Sequence, residues 1–390
     1  MVILFVSPHY EERGEMPKGG VGMYMRRVAG ALKEFGHTPI ILSFGSQEMH
    51  YIENGVEIFF VHCSNIPIWG KNTNLAVNLL RRSLIVNKKI QSLLREKKID
   101  LIQFSSIQSW AVCYYGKTPA VMRLSSYTKL YYRDYPSELE VRLRSLGERL
   151  AAKRCNAVFA PSAVHANAFA ADIHRNVQVI ESPFWNESDV YDNSVYQTRL
   201  AGKKYFLYYG RLAVGKGILV LAEALQMFLK KNPEYYFVCC GIEQGGEREN
   251  AARILRKEAG EYQERFLYMK ALPHNLLYPI IMHADFVVFP SLSDNFSNAC
   301  MEAMYFKRVV IGTDGTSYEQ LIDDGKSGLL SVPGDAASLL DKMNIAAAMG
   351  DQEKEEMGKL ARRRIDKLAP EISVRKLLCY YQYVIEHTVK

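Results

Sequence analysis

Seven cysteines in 390 residues are few and odd in number, scattered singly except for Cys239-Cys240, with no C-x-x-C pair. That spacing excludes a disulfide framework and a structural zinc, and it fits a reducing compartment such as the cytosol. Long apolar runs are lacking too: no stretch approaches the ~20 residues that span a bilayer. The opening run Val2-Ile3-Leu4-Phe5-Val6 is too short for a secretory signal, has no basic segment ahead of it, and is followed closely by Glu11 and Glu12. A G-x-G-x-x-G dinucleotide fingerprint is missing, as are internal repeats and low-complexity tracts. With 48% apolar and 23% charged residues, the chain is not intrinsically disordered, and its length suggests two domains.

Negative charge is scarce in one place. The chain carries 49 Lys+Arg against 42 Asp+Glu, a net +7, but residues 71–154 alone hold 17 basic and 6 acidic side chains, a net +11. Lys71, Arg81, Arg82, Lys88, Lys89, Arg95, Lys97 and Lys98 stand there with Trp69. Lys129, Arg133, Arg142 and Arg144 stand with Tyr127, Tyr131, Tyr132 and Tyr135. Cations interleaved with aromatics suit an anionic membrane surface, although a solvated helix face has the same composition. Nucleic acid is the weaker alternative.

Short apolar runs at residues 2–6, 39–43, 57–61, 100–104, 119–124, 157–160 and 177–180 read as buried strands. Between the first two, Val21, Met25, Val28, Leu32 and Phe35 recur at helical spacing, and Gly36 supplies the stop. After the polar segment 186–204 the rhythm restarts, with strands at 205–210, 235–240, 265–269, 285–289, 308–312 and 328–331. Alternating strands and helices argue for α/β architecture, with two Rossmann-like, doubly wound parallel sheets. The domains are placed at 1–190 and 200–370. A last amphipathic helix, 371–390, follows Pro370 and carries Val374, Leu377, Leu378, Tyr381 and Ile385 on one face.

Three segments carry chemistry. Gly19-Gly20-Val21-Gly22 opens the first helix, where glycine lets backbone approach a ligand and unpaired N–H groups face an anion. Tyr209-Gly210-Arg211-Leu212 ends a strand, and Lys216-Gly217 follows in a short loop. Two fixed cations at a sheet's carboxyl edge suit a diphosphate, Arg211 by its fork and Lys216 as a point charge. The run from Phe289 to Met304 passes from a strand through a polar turn (Asp294, Asn295, Phe296, Ser297) into a helix bearing Glu302. Asp294 could be an ordinary helix cap. Glu302, set among Ala299, Cys300, Ala303 and Met304, needs a partner if it is buried.

In order and spacing these segments resemble the retaining glycosyltransferases of family four, over nearly the whole chain. The resemblance implies a GT-B fold, two Rossmann-like domains facing across a cleft, with 1–190 on the acceptor side, 200–370 binding the donor, and helix 371–390 packing back on the first domain. It implies a nucleoside-diphosphate-sugar donor, with Arg211 and Lys216 on the diphosphate and Glu302 on the ribose. Asp294 and the backbone of Asn295, Phe296 and Ser297 would face the phosphate and sugar, and Gly20 and Gly22 would close over the diphosphate. Leu272 would touch the base, and Glu319 matches a glutamate near the nucleotide. No metal and no other cofactor is implied. Two departures stand out. Asp294 replaces the usual first glutamate, one methylene shorter, and Ser125, in Arg123-Leu124-Ser125-Ser126, stands where many members carry a histidine that positions the sugar.

The expectation is therefore sugar transfer to a glycan or lipid-linked acceptor, in cell-surface polysaccharide or glycolipid assembly. The protein would be cytoplasmic, with peripheral association to the inner face of the plasma membrane. A non-catalytic nucleotide-sugar-binding partner of another transferase and a sugar-nucleotide epimerase of similar fold are the alternatives.

Overall fold

The computed structural model describes residues 1–12, 19–65, 70–131, 138–243 and 251–388. The chain divides into two units, one made of Met1–Pro183 with Leu368–Lys390, the other of Phe184–Lys367.

The first unit is built on an eight-stranded sheet: β1 (Val2–Val6), β2 (Thr38–Phe44), β3 (Met49–Glu53), β4 (Val56–Val61), β5 (Leu101–Ser105), β6 (Ala120–Arg123), β7 (Ala157–Ala160) and β8 (Gln178–Val179), in the order β3-β4-β2-β1-β5-β6-β7-β8. All pairings are parallel except β3 with β4. The sequence reading missed β3. It is the return arm of a hairpin whose turn, Asn54-Gly55, has φ of 49° and 73°, the two positive angles that an Asn-Gly turn adopts at least cost. The helices are α1 (Gly20–Glu34), α2 (Lys71–Glu96), α3 (Thr128–Tyr131), α4 (Glu138–Arg154) and α5 (Ala163–Ile173). Helix α1 buries Met25, Val28 and Leu32 and stops where Gly36 turns to φ 76°, beyond the reach of most L-residues.

The second unit begins with α6 (Ser194–Arg199) and holds a six-stranded, all-parallel sheet. Its strands are β9 (Lys204–Leu212), β10 (Tyr235–Glu243), β11 (Phe266–Lys270), β12 (Phe286–Val288), β13 (Val309–Thr313) and β14 (Leu329–Ser331), ordered β11-β10-β9-β12-β13-β14. Its other helices are α7 (Ile218–Lys231), α8 (Ala251–Glu258), α9 (His274–Met282), α10 (Asn298–Tyr305), α11 (Tyr318–Leu321), α12 (Ala336–Ala348) and α13 (Asp351–Asp366). Phe206 on β9 stacks on Phe237 of β10 at 4.7 Å and on Phe286 of β12 at 5.4 Å, with Phe228 of α7 edge-on at 5.0 Å. This aromatic ladder fixes the three central strands side by side. The last helix, α14 (Pro370–Thr388), belongs to the first unit and packs on α1, burying Val374, Leu377, Tyr381 and Val384.

Each sheet reverses its winding beside its first strand, between β1 and β5 in one and between β9 and β12 in the other. Loops leaving the carboxyl ends of those strand pairs diverge, which opens a crevice where doubly wound sheets bind ligands.

A buried carboxylate holds part of the first unit together. Glu148 of α4 accepts from the Thr128 hydroxyl at 2.7 Å and from its backbone N–H at 3.2 Å, so it caps α3. Burial, opposed by those hydrogen bonds, raises its pKa to about 7. A carboxyl raised in the fold is favoured while protonated. Its contribution is fully present below the unfolded value near 4.5 and is lost as pH rises through 7. Glu148→Gln, which keeps the acceptor oxygen, is expected to remove this dependence. The wild-type-minus-variant difference in unfolding free energy, measured by urea titration, falls by on the order of 3 kcal/mol from pH 4.5 to 8. A flat difference contradicts the assignment.

Candidate functional site

The second unit gathers most of the candidate residues at one switch point. Strand β9 carries Arg211, exposed, just before its last residue, and the loop that follows carries Lys216; β12 continues into the segment bearing Asp294. The two loops are tied at the backbone, the Leu292 N–H donating to the Gly215 carbonyl at 3.1 Å. Gly217 has φ 73° and lies so close to Pro290 that a Cβ would sit 1.7 Å from its carbonyl oxygen. Only glycine permits this approach, and the approach sets Lys216 beside the β12 loop.

There Lys216 Nζ donates to Asp294 Oδ2 at 2.7 Å. The pair is mostly shielded, with side chains 20% and 15% exposed, so its attraction is stronger than that of a surface pair. The Tyr318 hydroxyl, from α11, donates to the same carboxylate oxygen at 3.3 Å. Burial first, and the Asp294 charge second, push the Tyr318 hydroxyl well above its ordinary pKa, which keeps it a proton donor. Asp294 is therefore not the helix cap that the sequence allowed. That position belongs to Ser297, whose hydroxyl accepts from the Cys300 N–H at 3.3 Å. Asn295 is half-buried and Phe296 buried in the same turn.

Glu302 lies one turn into α10 and is buried, 6% exposed. Its partner is His274, whose Nε2 lies 3.5 Å from Glu302 Oε1. Burial, and then the Glu302 charge, push the Tyr209 hydroxyl well above the ordinary tyrosine range. That hydroxyl donates to the Ala299 carbonyl at 2.6 Å. Leu272, half-buried, occupies the connection from β11 to α9, two residues ahead of His274. Glu319, on α11, is exposed. It accepts from the Gly315 N–H at 2.9 Å, and its hydrogen bond with Asp314 raises its pKa.

The remaining candidates are in the first unit. Gly20 opens α1, and Gly22 packs so tightly on the Glu11 carboxylate that a Cβ would meet Oε1 at 2.4 Å. Ser125 follows β6. Its Oγ accepts from Ser105 Oγ and from Arg123 Nη1, both at 3.0 Å. Arg123 is itself buried, 3.7 Å from the centre of the Tyr24 ring, and donates through Nη2 to Ser182 Oγ at 3.0 Å. Ser125 is thus held by a desolvated cation rather than set loosely in a turn.

With this geometry in view, two family models match. "Glycosyltransferase Family 4" covers residues 18–183 and "Glycosyl transferases group 1" covers 193–364. The chain belongs to the family-four glycosyltransferases. Its two mostly parallel sheets are of the GT-B type, as in sucrose-phosphate synthase from Thermosynechococcus elongatus (TM-score 0.80, 18% identity, 99% of each chain). An Anabaena protein in complex with UDP and glucose shares the fold, with a TM-score of 0.74 at 17% identity over 98% of this chain and 100% of that one. Among curated relatives, the 2-deoxystreptamine N-acetyl-D-glucosaminyltransferase of Niallia circulans is 25% identical over 146 residues, 37% of this chain and 36% of that protein. The D-inositol 3-phosphate glycosyltransferase of Corynebacterium jeikeium is 31% identical over 154 residues, 36% of each. These matches span about a third of the relatives' length. An uncharacterized glycosyltransferase of Bacillus subtilis is 22% identical over 100% of this chain and 99% of its own.

Two residues of this cluster escaped the sequence reading. No spacing in the sequence marks His274, which is the first residue of α9, directly after Leu272-Pro273. Tyr318 stands immediately before Glu319, a position the sequence had already singled out.

Proposed function

We propose that the chain is a retaining, metal-independent glycosyltransferase. It moves a sugar from a nucleoside-diphosphate sugar to a glycan or lipid-linked acceptor in cell-surface polysaccharide or glycolipid assembly. The second unit takes the donor and the first the acceptor. One observation carries this reading: Lys216 and Asp294 meet at the switch point of the second sheet, with Arg211 at the end of the adjoining strand.

As the glycosidic bond to the diphosphate loosens, negative charge grows on the leaving phosphate. Preorganised cations in a shielded site stabilise that charge without reorganising. Lys216 and Arg211 fill this role, so the chemistry asks for no metal. Asp294 accepts from hydroxyls of the transferred sugar, the backbone of Asn295–Ser297 faces the phosphate, and Glu302, held by His274, accepts from the ribose diol. Leu272 and Glu319 border the nucleoside. The leaving phosphate takes the acceptor's proton on the same face of the sugar, which retains configuration. Seven free thiols suit a cytoplasmic location, and the basic stretch 71–154 suits peripheral association with an anionic membrane.

A thermal-shift screen against UDP-, GDP-, ADP- and CDP-linked sugars tests the reading. A donor at 100 times its Kd adds about 2.7 kcal/mol of stability, and transfer products with an acceptor panel identify the reaction. No stabilisation by any of the four classes would sink it. Turnover of donor alone to an epimeric sugar nucleotide would replace transfer by epimerisation.

A further inference from the structure

We propose that the outward faces of α2 and α4 form the docking surface for an anionic lipid bilayer. This deepens the reading of a peripheral enzyme and rests on it.

The aromatic residues that suggested a membrane do not carry this inference. Tyr127 is buried against Phe169, and Trp69, Tyr132, Arg133 and Tyr135 lie outside the described residues. Leucines do. Helix α2 turns Ser83, Val86, Asn87, Ile90 and Leu93 inward, and shows Val77, Leu80 and Leu84 to solvent, followed by Lys88. Helix α4 turns Ser145, Glu148, Ala151 and Ala152 inward, and shows Leu139, Leu146 and Leu150 with Arg142 and Lys153 between and after them. Positions 77, 80, 84, 88 and 139, 142, 146, 150, 153 recur every three or four residues, so each set is one stripe. Leu84 is 59% and Leu139 52% exposed, and their alignment with the other leucines on neighbouring helices, rather than exposure alone, marks a patch. The helices are neighbours, both packed on the turn at Ile107–Cys113. A recess of about 240 Å³ lies between them, lined by Asn74, Asn78, Arg82, Glu140 and Arg144 together with Leu75 and Leu79.

Charge selects the occupant. Among the described side chains the outward stripes carry cations and no carboxylate: Glu140 is bonded to Arg144, Glu148 to Thr128, and Glu96 to Ser92. Exposed Arg154 lies over the ring of Tyr115, itself 71% exposed. A second copy would bring two strongly basic faces together, and nucleic acid offers nothing to the leucines. An anionic bilayer accepts both, with leucines at the headgroup–acyl boundary and cations among the headgroups.

The test is co-sedimentation of the full chain with phosphatidylcholine vesicles, with and without phosphatidylglycerol. Wild type is expected to pellet only with the anionic vesicles. Leu84→Ser combined with Leu146→Ser, both at exposed positions, should lower partitioning at least tenfold. Arg142→Ala with Lys153→Ala should lower it and flatten its salt dependence, while Met227→Ser, at an exposed position of α7, leaves it unchanged. The inference is overturned if wild type ignores anionic vesicles or if the leucine variant pellets like wild type. It is also overturned if light scattering shows a dimer that the leucine variant abolishes. Nucleotide-sugar thermal shifts on the same proteins separate the two claims. Their absence in wild type removes the transferase reading, whereas normal shifts without pelleting remove only the docking surface.

Discussion

Lys216→Ala is expected to lower kcat/KM for the nucleotide-sugar donor by about 10²–10³, the usual consequence of removing one preorganised donor from a developing anion. Most of the loss belongs in kcat, because the charge that Lys216 meets grows as the bond to phosphate breaks. Lys216→Arg keeps the charge but places a planar fork where a point charge sits 2.7 Å from Asp294, and should recover only part of the rate. Asp294 loses its cation in the alanine variant and keeps the Tyr318 hydroxyl, so the β12 loop stays partly anchored. Steady-state kinetics decide the matter. An unchanged kcat/KM in Lys216→Ala, with circular dichroism matching wild type, removes Lys216 from the machinery.

Gly217→Ala should be the most damaging single methyl group in the second unit. The new Cβ would stand 1.7 Å from the Pro290 carbonyl oxygen, a fixed backbone atom, at a residue whose φ is 73°. The left-handed conformation costs roughly 1–2 kcal/mol for an L-residue, and the clash adds roughly 1–3 kcal/mol as the loops part. Thermal unfolding should move down by about 5–15 °C in a unit of this size, with loss of donor binding because Lys216 moves with the loop. Gly215→Ala is the control: nothing lies within 4 Å of its Cβ and its φ is not positive, so it should leave the melting temperature within a degree or so. Equal shifts in the two variants contradict this account of the loop.

The strands and the switch-point loops were legible because they are local facts. Short apolar runs between helical periods announce a doubly wound sheet, and the spacing of Arg211, Lys216, Asp294 and Glu302 survives in one dimension. The hairpin strand β3 was also written in the sequence, in Asn54-Gly55, but Met49–Glu53 alternates half-buried with exposed residues and carries no apolar run to attract notice. Partnerships were less accessible. Glu302 plainly needed a partner, yet His274 precedes it by a helix, a strand and the turn into α10, and only the fold brings the start of α9 to α10. Which face of α2 and α4 would stay bare could not be read at all. Both helices rest on the turn at Ile107–Cys113, where Gln108 and Ser109 adopt left-handed angles that no propensity announces.

The return of α14 to the first unit has a consequence for how the chain is made. Residues 184–367 are continuous, so once they have left the ribosome the second unit has every strand and helix it needs. The first unit, although synthesised earlier, waits for α14, which brings Tyr381 to Gln103 and covers α1. Synthesis commonly finishes domains from the amino end. In this chain the later-born unit is complete first, and the apolar flank of α1 stays exposed until α14 has emerged.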